Sequence, residues 1–503
     1  MSVLLILVVA LPLLGVPVLA MPSVGDRAAR VVGVAASAAA FVGSVVLAVG
    51  FERGHGMQFE TDASWAPSLG LRLHLGIDGI SLPLFVLTTL LTLLVAVHSL
   101  WNIPPGADPR AFVALVLVLE TGMLGTFVAL DLILFFLFFE VVLIPMYFLI
   151  NRWGTAGERG PASWKFILYT QLGSAVMLLG FLLVQAKTGT FDMVALAQRH
   201  GEGMSHGVQV LAFLAIGLGL AVKVPMWPLH TWLPDAHTAA PTAGSVLLAG
   251  VLLKMGVYGL IRVAVPVLPE GAETFAPYLG AFGVVGVVYG SLVCLALLRD
   301  PDGDLKRIIA YSSVGHMGFA LLGIATLTPQ GLNGALFVNI GHGLITGLLF
   351  FLAGAVKDRH GTALLGSLGG GMYGRSPRLA AIVAFAAVAG LGLPGLAGFW
   401  GELLALYGAY EPAAGLSTGT YRTFLVLAAL GTVLTAGYML GLVRRLCMGP
   451  GPADGPPVPD VEAREIAVWT PLIALTLLAG LWPATVLAIT DPAVRALMLT
   501  GGS

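Results

Sequence analysis

LAVKVPMWPLHTWLPDAH, residues 220–237, puts Lys223 at the end of an apolar run and follows it with prolines at 225, 228 and 234. The residues before it, VLAFLAIGLGLAV (210–222), read as most of a membrane-spanning helix. A charge at the bilayer centre costs about 2.5–3.5 kcal/mol on insertion scales. A helix that accepts this cost and then breaks at Pro225 needs a use for the charge.

Of 503 residues, 57% are hydrophobic and only 10% charged, a balance outside that of soluble domains. Apolar runs recur near 3–20, 29–50, 79–100, 111–130, 132–150, 164–186, 207–229, 241–264, 277–298, 307–326, 331–356, 378–406, 421–446 and 467–489. Each is about long enough to span a bilayer. The expectation is an all-α polytopic membrane protein of about 14 helices, numbered 1–14 in that order, with no soluble domain. The first run ends in VLAMPS, which resembles a signal-peptide cleavage site. No Lys or Arg precedes its apolar core, so a retained helix is the better reading. Sixteen Lys or Arg residues fall in the loops after odd-numbered helices and seven on the opposite side. That asymmetry puts the odd loops in the cytoplasm and both termini outside.

The net charge of −1 gives no reason to expect a nucleic-acid partner. Two cysteines, Cys294 and Cys447, cannot supply a four-thiolate cluster, and a disulfide between them is not expected. GGGMYG (369–374) has dinucleotide-site spacing but follows a membrane helix rather than a strand, so it reads as a turn. No His, Cys and carboxylate set has metal-ligand spacing. Neither metal nor redox cofactor is expected in this chain.

Two interruptions organise the rest. Helix 7 breaks at Pro225 and Pro228, and helix 12 breaks at GLGLPGLAG (390–398). Breaks five helices apart pair helices 4–8 (111–264) with helices 9–13 (277–446), flanked by residues 1–110 and by 467–489. An odd number of helices per unit starts the second from the opposite face, which makes an inverted repeat. Broken helices at corresponding positions of such halves point to an ion-handling site.

Four ionisable residues stand well inside these spans: Glu140 in helix 5, Lys223 in helix 7, Lys254 in helix 8 and Glu402 in helix 12. His316 and His342 add imidazoles in helices 10 and 11. Taken singly, each has an ordinary explanation. Glu140 and Lys223 would form a fixed ion pair, and the histidines would hydrogen-bond in packing. As a set, acid, base, base, imidazole, imidazole and acid follow one another through successive helices, as a lateral proton relay requires. The chain has 19 Arg and only 6 Lys, yet both mid-span cations are Lys. Arginine holds its proton in a protein, whereas a desolvated lysine releases it and a nearby carboxylate restores it. Lys223 is thus read as a proton carrier, with the helix break supplying carbonyls and room for water beside it.

At these residues the chain resembles the antiporter-like subunits of respiratory complex I, which share their fold with multisubunit cation/proton antiporters. KVPMWPLHTWLPDAHTAAPTAGSVLLAGVLLKMGVYGLIR (223–262) carries the family signature. FFEVVLIPMYFLI, IAYSSVGHMGF, GHGLITGLLFFLAGAV and GLPGLAGFWGE follow the family's order through helices 3–13. Subunits L and N and the large antiporter subunits typically carry lysine where this chain has Glu402, so the resemblance is to the glutamate-bearing branch. It implies that Glu140 and Lys223 form the input switch, that Lys254, His316 and His342 form the relay, and that Glu402 is its terminal proton site. It further implies electron transfer through FMN, iron–sulfur clusters and quinone in partner subunits. Subunits L and N, the lipid bilayer, water and protons are the expected partners, and the bacterial inner membrane is the expected location. A cation/proton antiporter subunit, a related hydrogenase or formate-oxidising complex, and a non-pumping spacer are the rival readings. Glu402 disfavours the first.

Overall fold

The computed structural model describes residues 1–104, 108–449 and 459–499. Helices occupy all the expected ranges, and among the described residues twelve are long and apolar enough to cross a membrane. Helix 3 (Leu82–His98) and the first half of helix 12 (Pro377–Ala389) are apolar but shorter. Helix 8 (Thr242–Val267) and helix 11 (Pro329–His360) are buried along their lengths and form the centre. Helix 6 (Arg159–Thr188) instead turns Leu168, Leu172 and Leu179 outward. Such an apolar outer surface suits hydrocarbon or a neighbouring membrane subunit rather than water.

Both expected breaks are present. Helix 7 divides into 7a (His206–Lys223) and 7b (Trp232–Ala239). Proline has no N–H and its ring clashes with the carbonyl four residues back, so Pro225 stops the helix. The indole of Trp232 donates to Val222 O at 3.0 Å, and Met226 N donates to Ala221 O at 2.9 Å, which satisfies carbonyls released by the break. Helix 12 divides into 12a (Pro377–Ala389) and 12b (Ala397–Tyr410).

Four features depart from the sequence reading. Between the runs 29–50 and 79–100, where no element is expected, β1 (Gln58–Ala66) and β2 (Leu71–Ile77) pair as an antiparallel hairpin. Helix 5 (Leu132–Trp153) is interrupted at Val142, three residues before Pro145, whose ring opposes the carbonyl of Val141. Helix 8 contains two π-helical turns, Leu248–Leu252 and Leu260–Ala264. Expected helix 14 ends at Leu481, and after Pro483 a separate helix runs from Ala484 to Leu499. GGGMYG lies in the connection between helices 11 and 12, with no strand before it. Part of the Pro/Gly-rich stretch 447–465 lies outside the described residues.

Candidate functional site

The central chain begins on helix 8. A π turn adds a residue to the helical turn and leaves a carbonyl without its usual donor. Lys254, just after the first π turn, is fully buried and its ammonium donates to Ala249 O at 2.5 Å. The same nitrogen lies 2.5 Å from His342 Nδ1 on helix 11. The His342 ring meets the His316 ring edge to face, with centroids 5.6 Å apart. His316, on helix 10 (Leu305–Ala325), approaches Glu402 Oε1 with Nδ1 at 3.3 Å. Glu402 Oε2 accepts from Thr432 Oγ1 at 3.3 Å. Four of the six expected residues thus form one continuous row across helices 8, 11, 10 and 12b.

The helix-12 break serves this row directly. Gly392 has φ +73°, and a Cβ there would stand 2.8 Å from Glu402 Oε2. Only glycine accepts both the left-handed backbone and the approach of the carboxylate. His316, His342, Glu402 and the break surround a cavity of about 10 Å³, room for a single water.

Glu140 and Lys223 form a second, separate group. Lys223 is buried, with its ammonium 4.8 Å from the Phe139 ring centroid and no hydrogen-bond partner among the described residues. Glu140, next in sequence, is the carboxylate whose charge acts on it. The fixed ion pair, the ordinary explanation of these two residues, is not formed among the described residues: the cation rests on an aromatic face, and Glu140 Oε1 has no hydrogen-bond partner among them either. Helices 7a and 8 pack closely at Gly256, where a Cβ would come within 2.8 Å of Leu220 O. That contact brings the helices of Lys223 and Lys254 side by side.

The count of four mid-span ionisable residues was too low. Glu120, in VLETGML of helix 4 (Pro109–Val128), is fully buried and accepts from Ser37 Oγ at 2.8 Å. Arg262 is a buried residue of helix 8 paired with Asp78. His237, within the stretch quoted first, is fully buried against Phe350 at 4.4 Å between ring centroids, and neither ring nitrogen has a partner among the described residues. Cys294 and Cys447 are buried free thiols. Among the described residues no group of three His, Cys, Asp or Glu could hold a metal ion.

A bundle with two broken helices and a buried row of lysine, histidines and glutamate defines an antiporter-like membrane subunit. The family model described as NADH:quinone oxidoreductase/Mrp antiporter, TM, matches residues 129–435. The chain is similar to NADH-quinone oxidoreductase subunit M of Rhodobacter capsulatus, 42% identical, covering 99% of this chain and 97% of that one. Among solved structures it resembles a chain of respiratory complex I from Thermus thermophilus with bound NADH. There the TM-score is 0.87 at 29% identity, over 99% of this chain and 100% of that chain. A chain of the Mrp complex from Dietzia shares the fold, with TM-score 0.85 at 24% identity, over 99% and 97% of the two chains. The chain belongs to the family of NADH-quinone oxidoreductase subunit M, the antiporter-like membrane subunits of complex I.

Proposed function

We propose that this chain moves protons from the cytoplasm to the outside of a bacterial inner membrane, driven by NADH oxidation and quinone reduction in other subunits. The observation that carries the reading is the row Lys254, His342, His316, Glu402, with spacings of 2.5 Å, 5.6 Å between ring centroids, and 3.3 Å. Each member exchanges a proton readily, and each neighbour is in contact or one water away. Glu140 and Lys223 act as the input switch. When the carboxylate's influence on Lys223 weakens, the desolvated ammonium gives up its proton toward helix 8. Glu402, beside the broken helix, hands the proton to water on the outer side.

Moving one charge against 100 mV costs about 2.3 kcal/mol. The driving energy therefore arrives from neighbours, which we take to be the antiporter-like subunits L and N. FMN, iron–sulfur clusters and quinone belong to partner subunits in this reading. All 14 helices cross the membrane with both termini outside, and helices 4–8 and 9–13 are inverted repeats around the two breaks. Purification of the native complex tests the assignment. Flavin and iron–sulfur subunits should accompany this chain, with NADH rather than hydrogen as donor, and NADH oxidation should drive proton uptake into inverted vesicles. Copurification with a hydrogenase, or sodium–proton exchange without any electron donor, would overturn it.

A further inference from the structure

A row that delivers protons to one side must not be reachable from that side, or they flow back through it. Helix 8 carries Lys254, Tyr258 and Arg262 at four-residue intervals, all three buried. The Lys254 ammonium is turned back along the helix to Ala249 O, away from the C-terminal end. Arg262 stands eight residues on, in the second π turn, about 12 Å further along the axis at 1.5 Å per residue.

A cavity of about 260 Å³ meets that end of helix 8. Phe51, Leu130, Met193 and Ile489 give it apolar walls, from the connections after helices 2, 4 and 6 and from the C-terminal helix Ala484–Leu499. These segments lie on the side poor in Lys and Arg, which the charge asymmetry places outside. Asp78 and Arg262, each 5% exposed, are the buried charges in its lining. Ile80 N and Ser81 N each donate to Asp78 Oδ1 at 3.0 Å, which fixes the carboxylate. Its Oδ2 pairs with Arg262 Nη2. One turn nearer Lys254, the Tyr258 ring centroid lies 5.8 Å from the guanidinium carbon. Tyr258 donates to Phe127 O at 3.0 Å and meets the Phe127 ring edge to face at 5.2 Å. An ion pair and then an aromatic layer separate the cavity from Lys254.

We propose that Arg262, held by Asp78 and seated on Tyr258, is the outer seal of the row, which stops protons on the outer side from entering at Lys254. A proton travels only along groups that both take and give one. Arginine has five N–H donors and no acceptor, and it keeps its proton. A fixed cation of this kind is a barrier to protons in water-conducting pores. The carriers Lys223 and Lys254 are lysines, whereas the cation facing the outer cavity on the same helix as Lys254 is arginine. With a neutral lysine amine in its place, hydronium would protonate that amine and leave water. The ammonium would pass the proton through water to the Lys254 amine, and the row would discharge backward. Arg262 also has a plain structural use, tying the start of helix 3 to the end of helix 8, and a lysine would preserve that tie.

The proposal rests on the relay reading above, and the test separates the two. Inverted vesicles containing the intact complex, with the outer face inside, are loaded with acid buffer and followed without NADH by a pH dye in the medium. Assembled Arg262→Lys and Arg262→Gln complexes should lose the gradient several-fold faster than wild type, and proton uptake per NADH should fall while NADH oxidation continues. Adding Lys254→Met to Arg262→Lys should restore the slow loss, because the leaking proton has lost its acceptor. Asp78→Asn leaves the cation in place and should hold the gradient as wild type does. A tight Arg262→Lys complex would overturn the seal, since charge and ion pair alone would then suffice. A leak that survives Lys254→Met would overturn it too, marking a hole beside the row. Should neither Arg262 variant assemble, Asp78→Asn decides: a leak there would make the pair, and not the cation, the barrier. Failed pumping in Glu402→Gln with a tight Arg262→Lys complex would sink the seal only, and normal pumping in Glu402→Gln would sink the relay itself.

Discussion

Gly256→Ala adds one methyl group where helix 8 meets helix 7a, between the helices that carry Lys254 and Lys223. The new Cβ would lie 2.8 Å from Leu220 O, 2.8 Å from Val224 Cγ2 and 2.9 Å from Val224 N. Two of these atoms are backbone and cannot rotate away, so the helices must separate by some tenths of an ångström. Overpacking of this kind costs about 1–3 kcal/mol. Replacing glycine by alanine inside a helix returns about 1 kcal/mol, leaving a net destabilisation of roughly 0–2 kcal/mol. The subunit should therefore still assemble, with faster thermal inactivation. Because the displacement falls between the two lysines, proton uptake per NADH should drop more than NADH oxidation does. Gly207→Ala is the control: it lies in the first turn of helix 7a, and its Cβ would meet nothing within 4 Å. The assay is subunit content on a native gel, thermal half-life, and proton uptake into inverted vesicles. Identical behaviour of the two variants in stability and coupling would refute the claim that this close approach matters.

Lys223→Arg keeps the charge and its contact with the Phe139 face but cannot release a proton, so the assembled complex should pump poorly. Normal pumping would leave Lys223 a static cation. His316→Gln and His342→Gln retain hydrogen bonding without titrating near neutral pH; proton uptake should fall in each and furthest in the double variant. Unchanged uptake in all three would assign the transfer to water. On the hairpin, His74 Nδ1 lies 2.7 Å from Asp192 Oδ2. Burial works against the charged ring, but the bond and charge of Asp192, with Glu60, outweigh it and raise the His74 pKa. Burial likewise raises Asp192, yet the bond to His74 and to Ala195 N lowers it overall. The His74 share of stability is full below its ordinary 6.5 and is lost as pH rises through the raised value. The Asp192 share is full above its ordinary 3.8 and is lost as pH falls through the lowered value. The protection of Leu71–Ile77 amides, exchange measured relative to its intrinsic base-catalysed rate at each pH, should thus be greatest between those two ordinary values and fall on the alkaline side. His74→Gln should remove that alkaline fall, and protection independent of pH in the unaltered protein would contradict the tie.

Much of the frame was legible because membrane helices leave long apolar runs and prolines mark their interruptions. Pro225 and the glycines from 390 to 398 announced both breaks. Pro145 is the same signal in helix 5, masked because the apolar run continues across it. In the hairpin, β2 alternates in LRLHLGI (71–77) and was legible as a strand, whereas β1 shows no such pattern, its register shifting between Gln58 and Thr61 and again between Ser64 and Ala66. Glu120 is legible as a carboxylate inside an apolar run. The contact of Lys254 with His342 was not legible, because the residues are 88 apart and the π turns alter which face of helix 8 each side chain takes. His237 stood in the opening stretch, but its isolation depends on Phe350, which only the packing of helix 11 brings over it.

The central claim is that Glu402 ends a proton-carrying row rather than merely holding helix 12b against helix 10. Glu402→Gln keeps the shape and an amide that can still bond Thr432 and lie beside His316, so assembly should survive. It removes the only carboxylate in the row from Lys254 to Glu402. The decisive measurement is the ratio of protons taken up to NADH oxidised by inverted vesicles containing the assembled Glu402→Gln complex. We predict that this ratio falls well below the wild-type value, with partial recovery in Glu402→Asp. An unchanged ratio in the assembled Gln variant would contradict the account and require protons to leave by another route.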